Sequence, residues 1–380
     1  MFKKIFCSLV VSFMMICHVQ KIEALSLIED ASSAILIDCE SQQVLYQKNE
    51  TKKLYPASTT KIMTMILLFE AIDQHTLKWN DVLTCSEYAS SMGGSQVYLE
   101  PNETMSVKDL FKSIAIASAN DACVVVGEAI GGSHEHFVEM MNKKAKELQL
   151  VNTHFVNATG LHDPSHYTCA KDLATMGAYL IKIGGKRLFA VTSLYDSYIR
   201  EKTNKKFWLV NTNKLLKQYP GVDGLKTGYT KEAGYCIVTT CKKNNMRLLG
   251  VLMNEALPKQ RNEDMCKMLN YGYSHYQRKQ LIKKETVIDQ KKINHYMHGQ
   301  IDVIVKDNIS YLKMKSDHQK VTCQKKYYDL TLPIRKGQVI GKLEIKKGSQ
   351  VLADYPLYSK QTIIKQNYFQ RVYEIYKRLI

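Results

Sequence analysis

Residues 62–72, "IMTMILLFEAI", carry large apolar side chains on nearly every side of a helix. A helix of that kind belongs inside a protein, not on its surface. The run is entered through "LYPASTTK", which places Ser58 and Lys61 three residues apart, on one helical face. A serine at a helix start is ordinarily a cap, and a capping box would put Glu or Gln where Lys61 stands. Lysine has no acceptor and cannot reciprocate. On the helical wheel Lys61 falls between Met65 and Leu68, so its amine lies on an apolar side. Desolvation lowers the pKa of such an amine. A partly neutral lysine one turn from a serine hydroxyl is a general base beside a nucleophile, and the positive helix end favours the alkoxide. S-x-x-K alone occurs often by chance, with a capping serine and a snorkelling lysine as its plain reading.

What surrounds this helix sets the fold class. "SSAILIDCESQQVLYQKN" alternates apolar and polar residues as a hairpin does. "SVKDLFKSIAIASANDACVVVGEAI" reads as helical up to Gly131-Gly132. "SHEHFVEMMNKKAKELQL" predicts an amphipathic helix, and "AKDLATMGAYLIKI" another that ends before Gly184-Gly185. "AGYCIVTTCKKNNMRLLGVLMN" predicts two strands, and "RNEDMCKMLNYGYSHY" a closing helix. Strands at both ends of a block of helices predict an α/β (α+β) core with an antiparallel sheet flanked by helices. From about Lys283 short strands rich in Val, Ile, Tyr and Lys predict a small all-β domain.

The two chain ends carry different signals. "MFKKIFCSLVVSFMMICHVQKIEA" reads as a secretory signal, with Lys3 and Lys4 before an apolar run and an acceptable cleavage site at Ile22-Glu23-Ala24. In the tail, Ile364, Tyr368, Phe369, Val372, Ile375, Tyr376, Leu379 and Ile380 fall on one half of the wheel, while Asn367, Gln370, Arg371, Glu374, Lys377 and Arg378 fall on the other. A C-terminal amphipathic helix lying on a membrane surface through residues 361–380 is the functional reading, and packing against the β domain the alternative. The expected organisation is a signal at 1–24, a main domain at 25–280, a β domain at 281–358 and the helix at 359–380. Export places the mature chain at the outer face of the cytoplasmic membrane or in the cell wall.

Charge and cysteine use narrow the partners. The net charge of +17 is concentrated in residues 276–380, where 22 Lys and Arg face 9 Asp and Glu. No zinc-finger, helix-turn-helix or aromatic RNA-binding signature accompanies it, so nucleic acid is not the expected partner. An exported protein meets anionic lipids and wall polymers first. Of ten cysteines, Cys7 and Cys17 lie in the signal, and the other eight show no CxxC and no zinc-like spacing. They read mostly as small buried hydrophobes, with Cys236 and Cys241 on opposite faces of a strand. "HDPSH" spaces His162 and His166 as metal ligands on a helix would be, but Pro164 argues for a loop. His134 and His136, at a helix start, are expected to face solvent.

Two further motifs change the weight of S-x-x-K. "IASANDA" supplies Ser118 and Asn120, and "DGLKTGYTKEAGYC" supplies Lys226-Thr227-Gly228 before a strand. S-x-x-K, S-x-N and K-T-G in this order form the signature of the penicillin-recognising serine enzymes. The chain further resembles D-alanyl-D-alanine carboxypeptidases, the low-molecular-mass penicillin-binding proteins. "GSQVYLEPNETMSVKDL", "MNKKAKELQLVNTHFVNATGLHDPSHYTCAKDLA", "NTNKLL", "GVDGLKTGYT" and "LPIRKGQVIGKLEI" carry the resemblance, which runs from about Ile28 to Tyr358. Cys169 departs from the threonine usual in that family, with no loss of activity expected.

The resemblance implies a β-lactamase/transpeptidase-like domain acting on peptidoglycan pentapeptides ending in D-Ala-D-Ala, inhibited by β-lactam antibiotics, with no cofactor and no metal. It implies Ser58 as acylated nucleophile, Lys61 as its base, Ser118 and Lys226 as a proton relay to the leaving amine, and Asn120 as a holder of the substrate amide. Thr227, and less directly Arg261, would meet the terminal carboxylate, beside Gly228 and Tyr229. The Ser58 and Tyr229 N–H groups would form the oxyanion hole. A class A β-lactamase is the nearest alternative, but its E-x-x-L-N loop is matched only by "ELQLVN", Glu147 to Asn152, with the wrong spacing. Transpeptidation and endopeptidation share the acyl-enzyme and differ in acceptor, so they stay open here. A non-catalytic wall-binding homologue is disfavoured by the complete motif set.

Overall fold

The computed structural model describes residues 27–293, 300–364, 367–369, 372, 373 and 376. The export signal expected over 1–24 lies outside these residues, as do 365, 366, 370, 371, 374, 375 and 377–380 of the helix expected over 359–380. Five antiparallel strands form the central sheet, in the spatial order Val44–Lys48, Ser33–Asp38, Met246–Glu255, Gly234–Lys243, Val222–Thr230. The first two make the expected hairpin, with Leu36 opposite Tyr46. Strand Ser33–Asp38 is buried at every position because helices cover both sheet faces. Ile35 and Ile37 point into one core, and Ala34 and Leu36 into the other. Cys236 and Cys241 divide between the same two cores, and all eight described cysteines are free thiols.

The apolar helix of the opening spans Lys61–Asp73 and is buried along nearly its whole length, Lys61 included. It packs with helices Asn120–Gly131 and Ala170–Thr192, while helix Pro258–His275 covers the opposite face of the sheet. Cys169 caps the third of these: its Sγ accepts from the Asp172 N–H at 3.4 Å. A thiol thus fills the place where a threonine hydroxyl would serve.

Two local expectations are corrected. The segment 106–131 is not one helix: helix Val107–Lys112 passes into a π-helical turn, Ser113–Ala117, and Ser118 breaks the path at φ 65°, ψ 30°. Apolar periodicity continues through the break because Ile114, Ala115, Ile116 and Ala119 are all core residues. The expected stop at Gly184-Gly185 is present: Ala170–Thr192 is two helical segments that meet at Gly185, whose φ 49°, ψ −133° is non-helical. His134 does not face solvent: it is buried, with its ring edge-on to Tyr88 at 5.4 Å. His136 is exposed, beside Glu139.

The C-terminal strands build a third core around Ile301, Val303, Ile309, Ile340, Leu343 and Leu357. Their five-stranded sheet has the order Val287–Lys292, Gln300–Ile304, Gln350–Ser359, Val339–Lys347, Val321–Tyr327. Helix Pro258–His275 runs directly into strand Tyr276–Ile282, which pairs with Ile309–Met314. At this joint Arg278 is bound by buried Asp38 at 2.5 Å and by Glu40 at 2.6 Å.

Candidate active site

The nucleophile motif sits on a single 3₁₀ turn, Ala57–Thr60, at the entrance to helix Lys61–Asp73. Ala57 adopts φ 47°, a region costly for a residue with a Cβ. Two glycines allow neighbouring chain to close on this turn. A Cβ on Gly160 would lie 1.8 Å from the Ala57 carbonyl oxygen, and one on Gly228 would lie 2.9 Å from the Ser58 nitrogen and the Pro56 oxygen. The glycine of K-T-G is therefore required by contact with the S-x-x-K turn.

Lys61 is fully buried, and its three ammonium protons have three acceptors. Nζ donates to Ser58 Oγ at 2.8 Å, Asn120 Oδ1 at 2.7 Å and the Thr159 carbonyl at 2.8 Å. Burial lowers its pKa to about 8. The Asn120 amide is oriented from its other end, where Nδ2 donates to the Gly93 carbonyl at 2.6 Å. The Ser118 break turns the chain so that Ser118 lines the cleft and Asn120 starts the next helix.

Strand Val222–Thr230 forms the opposite wall. Lys226 is buried and donates to the Thr227 carbonyl at 2.9 Å. Burial first, then the Lys61 and Arg261 charges, hold its pKa well below the usual lysine range. Thr227 Oγ1 donates to Thr212 Oγ1 at 2.7 Å. Arg261, on helix Pro258–His275, is largely buried, and its Nη2 donates to Asn262 Oδ1 at 2.9 Å. Ser58, Ser118, Thr227, Gly228, Tyr229 and Arg261 line one cleft of about 1090 Å³. The Tyr229 ring stacks on Tyr235 at 4.3 Å.

Ser58, Ser118, Thr227, Gly228, Tyr229 and Arg261 thus line the cleft, and Lys61, Asn120 and Lys226 are buried beside it. Several partners were not assigned to the site: the Thr159 and Gly93 carbonyls, Thr212, and above all His166, which was read only as part of a loop. His166 is buried and stands 2.8 Å from Thr60 Oγ1 through Nε2, while Nδ1 accepts from the Val156 N–H at 3.1 Å. Because Nδ1 is the acceptor, Nε2 carries the proton and donates to Thr60. Burial lowers the imidazole pKa to about 4, so it stays neutral under ordinary conditions. "HDPSH" is a loop: His162 packs edge-on to Tyr55 at 4.7 Å, and His166 braces the nucleophile turn. The readable signal was "NATG", whose Asn157 side chain folds a tight turn by accepting from the Thr159 and Gly160 N–H groups.

Residues 20–256 match the family described as D-alanyl-D-alanine carboxypeptidase, and residues 276–365 match the penicillin-binding protein 5 C-terminal domain. The chain is 46% identical over 344 residues to D-alanyl-D-alanine carboxypeptidase DacF of Bacillus subtilis, covering 90% of this chain and 88% of that protein. The crystal structure of penicillin-binding protein 5 from Haemophilus influenzae superposes with a TM-score of 0.73 at 29% identity, covering 89% of this chain and 99% of that one. Penicillin-binding protein D2 of Listeria monocytogenes, solved in a cefotaxime-bound form, superposes with a TM-score of 0.58 at 32% identity over 64% of this chain and 97% of its own. With more than half of its length matched and such identity across both domains, the chain belongs to the D-alanyl-D-alanine carboxypeptidase family.

Proposed function

We propose that this serine D-Ala-D-Ala carboxypeptidase works through an acyl-enzyme on Ser58. The observation that carries the assignment is the fully buried Lys61 amine, 2.8 Å from Ser58 Oγ and 2.7 Å from Asn120 Oδ1. Burial lowers the pKa of both lysines, and the Lys61 charge lowers that of Lys226 further. A substrate carboxylate arriving near Thr227, Lys226 and Arg261 restores the balance by adding a negative charge.

Neutral Lys61 takes the Ser58 proton as Oγ attacks the penultimate D-Ala carbonyl. The carbonyl oxygen, becoming an oxyanion, is met by the N–H groups of Ser58 and Tyr229, which the Gly228 contact brings together. Asn120 orients the substrate amide. As the C–N bond breaks, the proton that Lys61 took is relayed through Lys226 and Ser118 to the leaving nitrogen, so D-alanine departs and Lys61 is neutral again. Water, deprotonated by the freed Lys61, then hydrolyses the ester and returns the proton to Ser58. Penicillins acylate the same hydroxyl because their strained amide carries a carboxylate in the corresponding place.

The signal-like residues 1–24 and the amphipathic spacing of 361–380 support an exported enzyme held at the outer face of the membrane. No helix among the described residues is long and apolar enough to cross one. The test is incubation with labelled penicillin and, separately, with a D-Ala-D-Ala peptide. A stable adduct and D-alanine release, both lost in Ser58→Ala, are expected; an adduct that survives in Ser58→Ala refutes the nucleophile. Truncation before Gln361 should release the protein from membranes, and an unchanged membrane fraction refutes the anchor.

A further inference from the structure

A hairpin beside the cleft has aromatic residues that the reaction does not use. Its strands, Asp196–Ile199 and Phe207–Val210, pair antiparallel with Tyr198 directly opposite Trp208. Tyr198 is 40% exposed and Trp208 55%. On the other face Ile199 and Leu209 are fully buried and hold the hairpin to the main core. Alternation along the strand puts Trp208 and Val210 on one face, and Val210 lines the catalytic cleft with Ser58 and Ser118. The aromatic pair therefore continues the cleft wall outward, with Trp208 about 7 Å beyond Val210 along the strand.

The hairpin is held in register with that wall. Arg200 Nη1 donates to the Val97 carbonyl at 2.9 Å, and its Nε meets Glu103 at 2.5 Å. The Val97 and Leu99 N–H groups are in turn held by buried Asp121 at 3.1 and 3.0 Å. The Lys206 ammonium lies 4.1 Å above the Tyr198 ring centre, beside the exposed pair. An exposed indole beside a tyrosine ring that carries an ammonium donor over its face matches one chemistry: a sugar ring, whose C–H face stacks on Trp208 while its acetamido carbonyl takes a hydrogen bond from Lys206.

We propose that Tyr198 and Trp208, with Lys206, form a platform for an N-acetylated aminosugar of the glycan that bears the substrate peptide. This rests on the carboxypeptidase reading above. A stem of roughly four residues between scissile bond and sugar spans at most about 14 Å. The sugar therefore emerges at the rim of the cleft, where the platform is. Binding energy gathered there is remote from the scissile bond and favours polymer-borne peptide over free peptide.

The test compares D-alanine release from a free pentapeptide and from peptide-bearing glycan strands, in the full chain and in a Tyr198→Ala/Trp208→Ala variant. Expected is free-peptide kcat/KM within about twofold of wild type, with glycan-borne kcat/KM reduced at least about tenfold. Equal losses on both substrates, or loss on neither, overturn the proposal. Trp208 is one of two tryptophans, so a peptide-free oligosaccharide of N-acetylated aminosugars should change its emission in Ser58→Ala protein. No change refutes the platform without touching the reaction, since this measurement needs no turnover; failure of free-peptide hydrolysis in the wild type refutes the reaction instead. A concentration-dependent dimer abolished in the double variant would show that a second copy occupies the face, and would overturn the glycan assignment.

Discussion

Replacing Gly228 by alanine tests the claim that the catalytic walls are set by backbone contact. The new Cβ would meet the Pro56 oxygen and Ser58 nitrogen at 2.9 Å and the Thr59 nitrogen at 3.0 Å. Ordinary contacts for such an atom begin near 3.4 Å, so strand and turn must separate by about 0.5 Å. All three obstacles are backbone, on a turn already buried at Ala57, Thr59 and Thr60, so no side chain can swing aside. That separation lengthens the path from the Tyr229 N–H to the oxyanion while leaving Ser58–Lys61 geometry, within one turn, intact. Losing one such donor costs about 10²–10³ in rate. Stopped-flow acylation by a fluorescent penicillin should therefore slow by about that factor, with a smaller change in the affinity of the first encounter. The pH dependence of what remains should be that of the wild type, because Lys61 keeps its surroundings. Acylation within about threefold of wild type would refute the contact argument, and a displaced pH profile would refute its confinement to the oxyanion.

Acylation should rise with pH as Lys61 loses its proton, with the limb near 8 to which burial lowers it; a limb near the ordinary lysine value refutes Lys61 as base. His166→Ala leaves the Thr60 hydroxyl and the Val156 N–H without their partner. It should cost about 1–3 kcal/mol per buried orphan in denaturant unfolding and slow acylation; His166→Gln, able to donate and accept, should recover part of both. Arg278→Ala strands buried Asp38 without its cation. It should destabilise the chain by about 3–5 kcal/mol while leaving kcat on a soluble peptide unchanged; a fall in kcat at full folding would contradict its purely structural place.

The catalytic side chains were legible because each of the three motifs contributes atoms of its own at a short, fixed spacing. Lys61 was readable for a further physical reason: an amine on the apolar side of a helix has few other uses. What escaped was contributed by backbone or by chain far away. The Thr159 carbonyl leaves no trace in residue type, and its placement depends on Gly160 approaching Ala57. His166 was set among loop residues because nothing local shows that its loop folds under the nucleophile turn. The break at Ser118 was hidden by its neighbours, whose apolar spacing is that of a continuous helix although one residue turns left-handed. Four of the five central strands and the helix break at Gly184-Gly185 followed from periodicity and turn residues; strand Val222–Thr230 did not, since Lys226-Thr227-Gly228 was expected before a strand and lies within one.

The helix that carries Arg261 has 18 residues, about 27 Å of rigid rod, and no slack follows it. His275 ends the helix and Tyr276 begins the first strand of the β domain. The buried Arg278–Asp38 pair rivets that strand to the central sheet just past the joint. The β domain is thus a handle fastened to the cleft wall, not cargo on a tether. A force that turns it is delivered as torque to the cleft wall that bears Arg261, over a lever arm as long as the helix.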